Sequence, residues 1–123
     1  MESIAPVVGL PRLHVTPVAS VKCDAPRVVV DADNEQEKRI HLTFEPYQAM
    51  RMVTADCFYL PEGASITPQT IVEIQNSEWV KELREASEEI DCEADFMNKA
   101  RHFLLPLQDD FLEIVAWNVT CDS

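Results

Sequence analysis

Between Asn76 and Asp91 the apolar residues Trp79, Val80, Leu83, Ala86 and Ile90 fall three and four apart, and charged residues take the other sides. That spacing is the stripe of an amphipathic helix, and Asn76 or Ser77 supplies an N-cap, because either side chain can accept a bond from an otherwise unpaired backbone N–H. On either side of this segment the pattern has a period of two instead. Ile40, Leu42 and Phe44 alternate with His41, Thr43 and Glu45, as in a half-buried strand. Strands that run together around one helix define an α+β domain with a mostly antiparallel sheet, and the helix, over about residues 77–91, is expected to pack on one face of it.

The remaining elements follow from punctuation. Residues 1–38 form a proline-rich N-terminal arm or outer strands, with β-rich islands at Leu13–Thr16 and Arg27–Asp31 and a polar loop at Asp33–Lys38. Residues 39–123 make the α+β core. Pro46 is expected to end or bulge the first core strand, Tyr47–Ala55 reads as a second strand, and Asp56–Gln69 as a loop. Thr70–Gln75 is a short strand leading into the helix. Arg101–Leu107 and Phe111–Val119, joined by Gln108-Asp109-Asp110, read as a closing β-hairpin whose first strand carries Pro106 at an edge or bulge.

With 123 residues, 46% of them hydrophobic, the chain furnishes one compact core. Its surface carries a formal charge of −12, which disfavours phosphate backbones and anionic lipid as partners. The charge is uneven: residues 1–60 hold 8 acids and 6 bases, a net of −2, whereas residues 61–123 hold 14 acids and 4 bases, a net of −10. An acidic recognition surface therefore belongs to the second half. Its densest part, Glu78, Glu82, Glu85, Glu88, Glu89, Asp91, Glu93 and Asp95, is the candidate binding segment for a basic protein surface.

No secretory signal opens the chain and no apolar run approaches the roughly 20 residues that cross a bilayer, so a cytoplasmic protein with no membrane partner is expected. Cys23, Cys57, Cys92 and Cys121 lack a C-x-x-C pair or nearby histidines, which argues against zinc and redox roles and for free, mostly buried thiols. With only two glycines, no glycine-rich loop can cradle a phosphate, and no cofactor is expected.

One catalytic arrangement is available on residue types alone: Cys57 as nucleophile, His102 as base and Glu113 to orient it. A reactive thiolate needs cationic surroundings, and Cys57 has Asp56, Phe58 and Tyr59 instead, so a structural cysteine and a hydrogen-bonded strand histidine are the stronger reading. Asp91, Glu93 and Asp95 could hold a hard cation. They lack the glycine turn of a calcium loop, and a solvated acidic loop is expected, with no metal. Trp79 and Trp117 read as core residues, and Arg51 and Arg101 as cations paired with carboxylates such as Glu73 or Glu113.

At Ile74–Leu83 (IQNSEWVKEL) and Arg101–Trp117 (RHFLLPLQDDFLEIVAW) the chain resembles a loosely defined group of small bacterial α+β proteins, in which a Ser-x-Trp helix start is followed by a His-aromatic strand, an acidic turn and a Glu-hydrophobic strand. The resemblance covers roughly residues 40–118 and implies a fold but no activity. In size and acidity the chain also resembles, more distantly, immunity proteins that neutralise bacterial toxins. Taken together, these features favour a non-enzymatic, immunity-like domain that binds a basic partner through residues 78–95. The alternative is a small enzyme or ligand-binding domain with a pocket between helix and sheet.

Overall fold

The computed structural model describes residues 2–58, 60, 69–93 and 95–123. Among the described residues seven strands form one sheet: β1 (Ser3–Pro6), β2 (Ser20–Asp24), β3 (Arg27–Asp33), β4 (Arg39–Thr54), β5 (Val72–Gln75), β6 (Arg101–Leu107) and β7 (Asp110–Asp122). Their spatial order is β1-β5-β6-β7-β4-β3-β2, and every neighbouring pair is antiparallel. One α-helix, α1 (Glu78–Ile90), joins β5 to β6 by way of a 3-10 turn at Phe96–Lys99. The protein is thus α+β and dominated by antiparallel sheet, with β6 and β7 as a C-terminal hairpin. Among the described residues no helix is long and apolar enough to cross a membrane.

Alternation gives the sheet two unlike faces. Val28, Val30 and Ala32 of β3, Ile40, Leu42 and Phe44 of β4, Phe103 and Leu105 of β6, and Leu112, Ile114 and Ala116 of β7 all join one apolar cluster. This inner face is covered by the chain between β1 and β2, which enters at one sheet edge and leaves at the other. Its Val7 N–H donates to the Ile71 carbonyl at 3.1 Å and its Leu13 N–H to the Gln69 carbonyl at 2.8 Å, while the His14 N–H reaches the Asp33 carbonyl at 2.9 Å. Leu13 is fully buried in the cluster. Each large side chain buried here contributes about 1.5–3 kcal/mol relative to exposure, so this face is the main source of cohesion.

The outer face is more sparsely apolar. Val115 of β7 meets Val80 of α1 and Met97 of the 3-10 turn, with Trp79, Leu83, Ala49 and Ala100 half-buried around them. The helix begins at Ser77, whose Oγ accepts the Val80 N–H at 3.1 Å.

Several sequence expectations are corrected. The two strands expected across Arg39–Ala55 are the single β4, because β7 is long enough to pair with both halves; of the two outcomes expected at Pro46 the bulge is the one present, as a register shift between Tyr47 and Ala49. Leu13 makes only an isolated bridge with Asn34, and the outer strands of the N-terminal part are β1 and β2, at other positions than the island at Leu13–Thr16. Pro106 is not on an edge strand: β6 lies between β5 and β7, but β5 pairs only as far as Leu104, so the missing donor falls where that neighbour has ended. The helical stripe is only partly covered. Ala86 is exposed and Ile90 is 89% exposed, since Val115 and Met97 serve only the first two turns. The thiols are free but not buried: Cys23, Cys57 and Cys92 are exposed and Cys121 is intermediate. Trp79 and Trp117 are half-buried on the outer face rather than in the core. Within the loop expected at 56–69, residues 59 and 61–68 lie outside the described residues.

Candidate functional site

Four polar side chains meet beneath α1 on the outer face. In the β4–β7 ladder Arg51 stands opposite Glu113. In the β6–β7 ladder Glu113 stands opposite Leu104, which puts His102 two residues along on the same face. Ser77 arrives from above as the cap of α1. The Ser77 Oγ lies 2.7 Å from His102 Nδ1, and His102 Nε2 lies 2.7 Å from Glu113 Oε1. Arg51 then donates from Nε to Glu113 Oε2 at 2.7 Å and from Nη2 to Oε1 at 3.1 Å.

The partners dictate the direction of this relay. A carboxylate can only accept, so His102 Nε2 carries a hydrogen toward Glu113; Nδ1 is then the acceptor for the Ser77 hydroxyl in the singly protonated ring. Ser77, His102 and Glu113 are 5%, 2% and 1% exposed, so each bond replaces water that none of them can reach. Burial alone would push the Glu113 carboxyl up. The hydrogen bonds from His102 and Arg51, together with the Arg51 charge, outweigh that and hold it below the usual glutamate range.

Trp79 closes the relay from the solvent side. The Arg51 guanidinium carbon lies 3.9 Å from the Trp79 ring centroid, close enough for a cation–π contact, and the Trp79 ring meets His102 edge-on at 5.3 Å between centroids. A cleft of about 230 Å³ on this side is bordered by Glu2, Arg51, Trp79, Glu82, His102 and Glu113. Glu2 supplies a carboxylate to the start of the helix, accepting the Glu78 N–H at 2.8 Å. A second cleft, of about 480 Å³, opens at the ends of β5 and β6, where Ser77 and His102 share the wall with Lys81, Arg84 and Arg101.

Chemically, a hydroxyl, an imidazole and a carboxylate in that order are a nucleophile, a base and its orienting group. The Ser77 oxygen already accepts the Val80 N–H and is nearly out of reach of solvent, so in this state the relay fastens the helix to the sheet.

Of the three residues weighed as a catalytic arrangement and set below a structural reading, the structure brings His102 and Glu113 together but not Cys57. Cys57 lies in a 3-10 turn, Ala55–Cys57, just past the end of β4, where Thr54 pairs with Asp110 at the hairpin turn, five residues of β6 away from His102. The thiol's place is taken by Ser77, which sequence reading treats only as a cap. A signal was present: a hairpin turning at Gln108-Asp109 puts His102 and Glu113 diagonally adjacent on one face, directly under the helix start. Arg51 and Arg101 are paired as expected, Arg101 with Glu73 at 2.7 Å.

The acidic segment is laid out differently. Glu78, Glu82, Glu85, Glu88, Glu89, Asp91, Glu93 and Asp95 are all exposed. The Glu93 N–H donates to Asp91 Oδ1 at 3.1 Å, a local turn, and among the described residues no group of three or more His, Cys, Asp or Glu is placed to hold a metal ion. Exposed Ile90 and Phe96 border a shallow cleft of about 350 Å³ together with Asp91, Glu93 and Asp95.

The fold and site together define an antiparallel α+β protein with a buried Ser–His–Glu relay, continued outward by Arg51, under its one helix among the described residues. Comparison with protein-family models, curated proteins and solved structures finds no match to this chain.

Proposed function

We propose that this is a non-enzymatic binding domain whose helix covers the outer sheet face and presents Glu78–Asp95 to a basic protein partner, as an immunity protein does to a toxin. The observation that carries the reading is the division of labour among the carboxylates. Glu113 is spent inside, holding the helix, while the eight acids of the segment are exposed and, apart from Glu78, which meets Lys81 at 3.3 Å, have no cation within ion-pair distance among the described residues. Unneutralised charge of one sign on a rigid element accelerates encounter with an oppositely charged surface and selects against others. The apolar Ile90 and Phe96 at its end offer a centre that such an acidic rim would surround.

Affinity capture from the native host tests this. The wild-type domain is expected to retain a basic protein at about 50 mM salt and release it as the Debye length shrinks at higher ionic strength. The Glu82, Glu85, Glu88 and Glu89 to Gln variant is expected not to retain it. Equal retention by both, or retention that ignores salt, rejects the reading.

A second reading, a small enzyme or ligand-binding domain, is favoured by the two clefts that border His102. A metabolite screen by thermal shift separates the two, since a pocket protein gains stability with some small molecule.

A further inference from the structure

The 480 Å³ cleft at the ends of β5 and β6 contrasts with the rest of the molecule in charge. The chain holds 22 acids and 10 bases, yet among the described residues Lys81, Arg84 and Arg101 line this cleft against the single carboxylate of Glu73. In the cleft beside Trp79 the acids outnumber Arg51, and the one at Ile90 has no cation at all.

Arg84 is the unusual member. The other five arginines each pair with a carboxylate: Arg12 with Glu35, Arg27 with Glu45, Arg39 with Asp33, Arg51 with Glu113 and Arg101 with Glu73. Among the described residues Arg84 has no such partner, although Glu88 stands one helical turn away, the spacing at which opposite charges meet on a helix. Its Nη2 donates to the Met97 carbonyl at 3.3 Å, a long bond, and its Nε is buried with no acceptor. A guanidinium is built to grip two oxygens of one oxyanion in a fork. Turning Arg84 into the cleft would exchange one long bond and one unmade bond for that pair, with Lys81 beside it on the helix.

We infer that this cleft binds a small oxyanion, a phosphate or carboxylate group of a metabolite, with Arg84 as the bidentate anchor and Lys81 as a supporting charge. The inference rests on the ligand-pocket reading and is independent of protein docking by the acidic segment. The cleft volume lies in the range that small-molecule sites occupy, so the group would belong to a small organic molecule rather than to a polymer.

The test is a titration of the intact protein with inorganic phosphate and, separately, succinate at constant ionic strength, following arginine Nε–H signals by NMR and the melting temperature. The expected result is a saturable shift of the Arg84 Nε–H signal with one or both probes and a rise in melting temperature. R84Q should weaken binding at least about tenfold, the loss of roughly one good charged contact, while R39Q, at an exposed ion pair elsewhere, binds as the wild type does. R84K guards against a folding defect, because it keeps the charge and loses the fork, and its binding is expected to fall between the two. Absence of saturation by about 10 mM with both probes, a limit corresponding to less than about 3 kcal/mol of binding, overturns the oxyanion site, as does equal binding by R84Q. If a neutral metabolite stabilises the protein while both anions are silent, the oxyanion site is wrong and the pocket reading stands.

Discussion

The two faces of the sheet are built from the same strands by different means. The inner face is apolar except at its β5–β6 end, where Arg101 pairs with Glu73 at 2.7 Å: Phe44 and Phe103 touch at 5.4 Å between ring centroids inside a cluster closed by Leu13. The outer face, over the same β6 and β7, has two small apolar clusters, one at Val72, Ile74 and Leu104 and one under the helix at Val80, Met97 and Val115, and it fastens its helix by the latter and by the relay from Ser77 to Arg51. Apolar packing is non-directional and scales with area, so it sets how stable the domain is. A hydrogen-bonded relay satisfies each member from one direction only, so it sets where the helix sits. The comparison implies that the sheet stands on its inner core and that α1 is a cover fastened to it, positioned with its acids outward.

Disturbing the inner face should have the largest effect. Phe103→Ala is expected to lower the unfolding free energy by roughly 3–5 kcal/mol, the usual loss for a large aromatic in a well-packed core, measured by urea denaturation. A loss below about 1 kcal/mol would mean that the inner face is not the main core.

Disturbing the relay should cost less. Glu113→Gln removes the negative charge that both His102 and Arg51 face. The loss for a fully buried pair is roughly 3–5 kcal/mol; because the Arg51 side chain is 46% exposed, about 2 kcal/mol is expected. The same carboxyl gives a pH signature. It is held below the ordinary range in the fold and lies near about 4.3 in the unfolded chain, so between the two values the unfolded chain binds more protons and stability rises with pH. The Glu113 contribution is therefore complete above the ordinary value and disappears as acid carries the protein through the lowered one. In Glu113→Gln that part of the acid limb should be missing from denaturation curves; an unchanged limb would show that Glu113 is not the group responsible.

The smallest effect is expected at the uncovered end of the helix. Ile90→Ser should change stability by no more than about 0.5 kcal/mol, as for surface sites generally, and a larger loss would mean that the helical stripe is covered along its whole length.

The parts of this fold that were legible in the sequence are those governed by local periodicity. Residues 40–44, the cap and extent of α1 and the 101–119 hairpin all read correctly, because alternation and helical spacing record which side of an element meets apolar neighbours. What was not legible depends on what lies opposite. The stripe from Trp79 to Ile90 does not say that Val115 and Met97 cover only its first half. Pro46 reads equally as a stop or a bulge, and the bulge that is present could not be chosen locally because nothing nearby reveals a partner strand long enough to bridge it. Of the site, residue type alone points to His102 and Glu113 as a possible base and orienting group but offers Cys57 as their third partner, in an arrangement weaker than the structural reading of the same residues. Ser77 had an adequate local explanation as a helix cap, and only the strand register brings its hydroxyl to the imidazole.

Native-state hydrogen exchange across a series of urea concentrations tests most directly whether the helix is a separately fastened cover. The account predicts that amides of α1 exchange through an opening of lower free energy and weaker urea dependence than those of β3, β4 and β7, which should exchange only with global unfolding. If the helix and the strands share one opening energy and one urea dependence, the two faces form a single cooperative unit and the distinction drawn here is wrong.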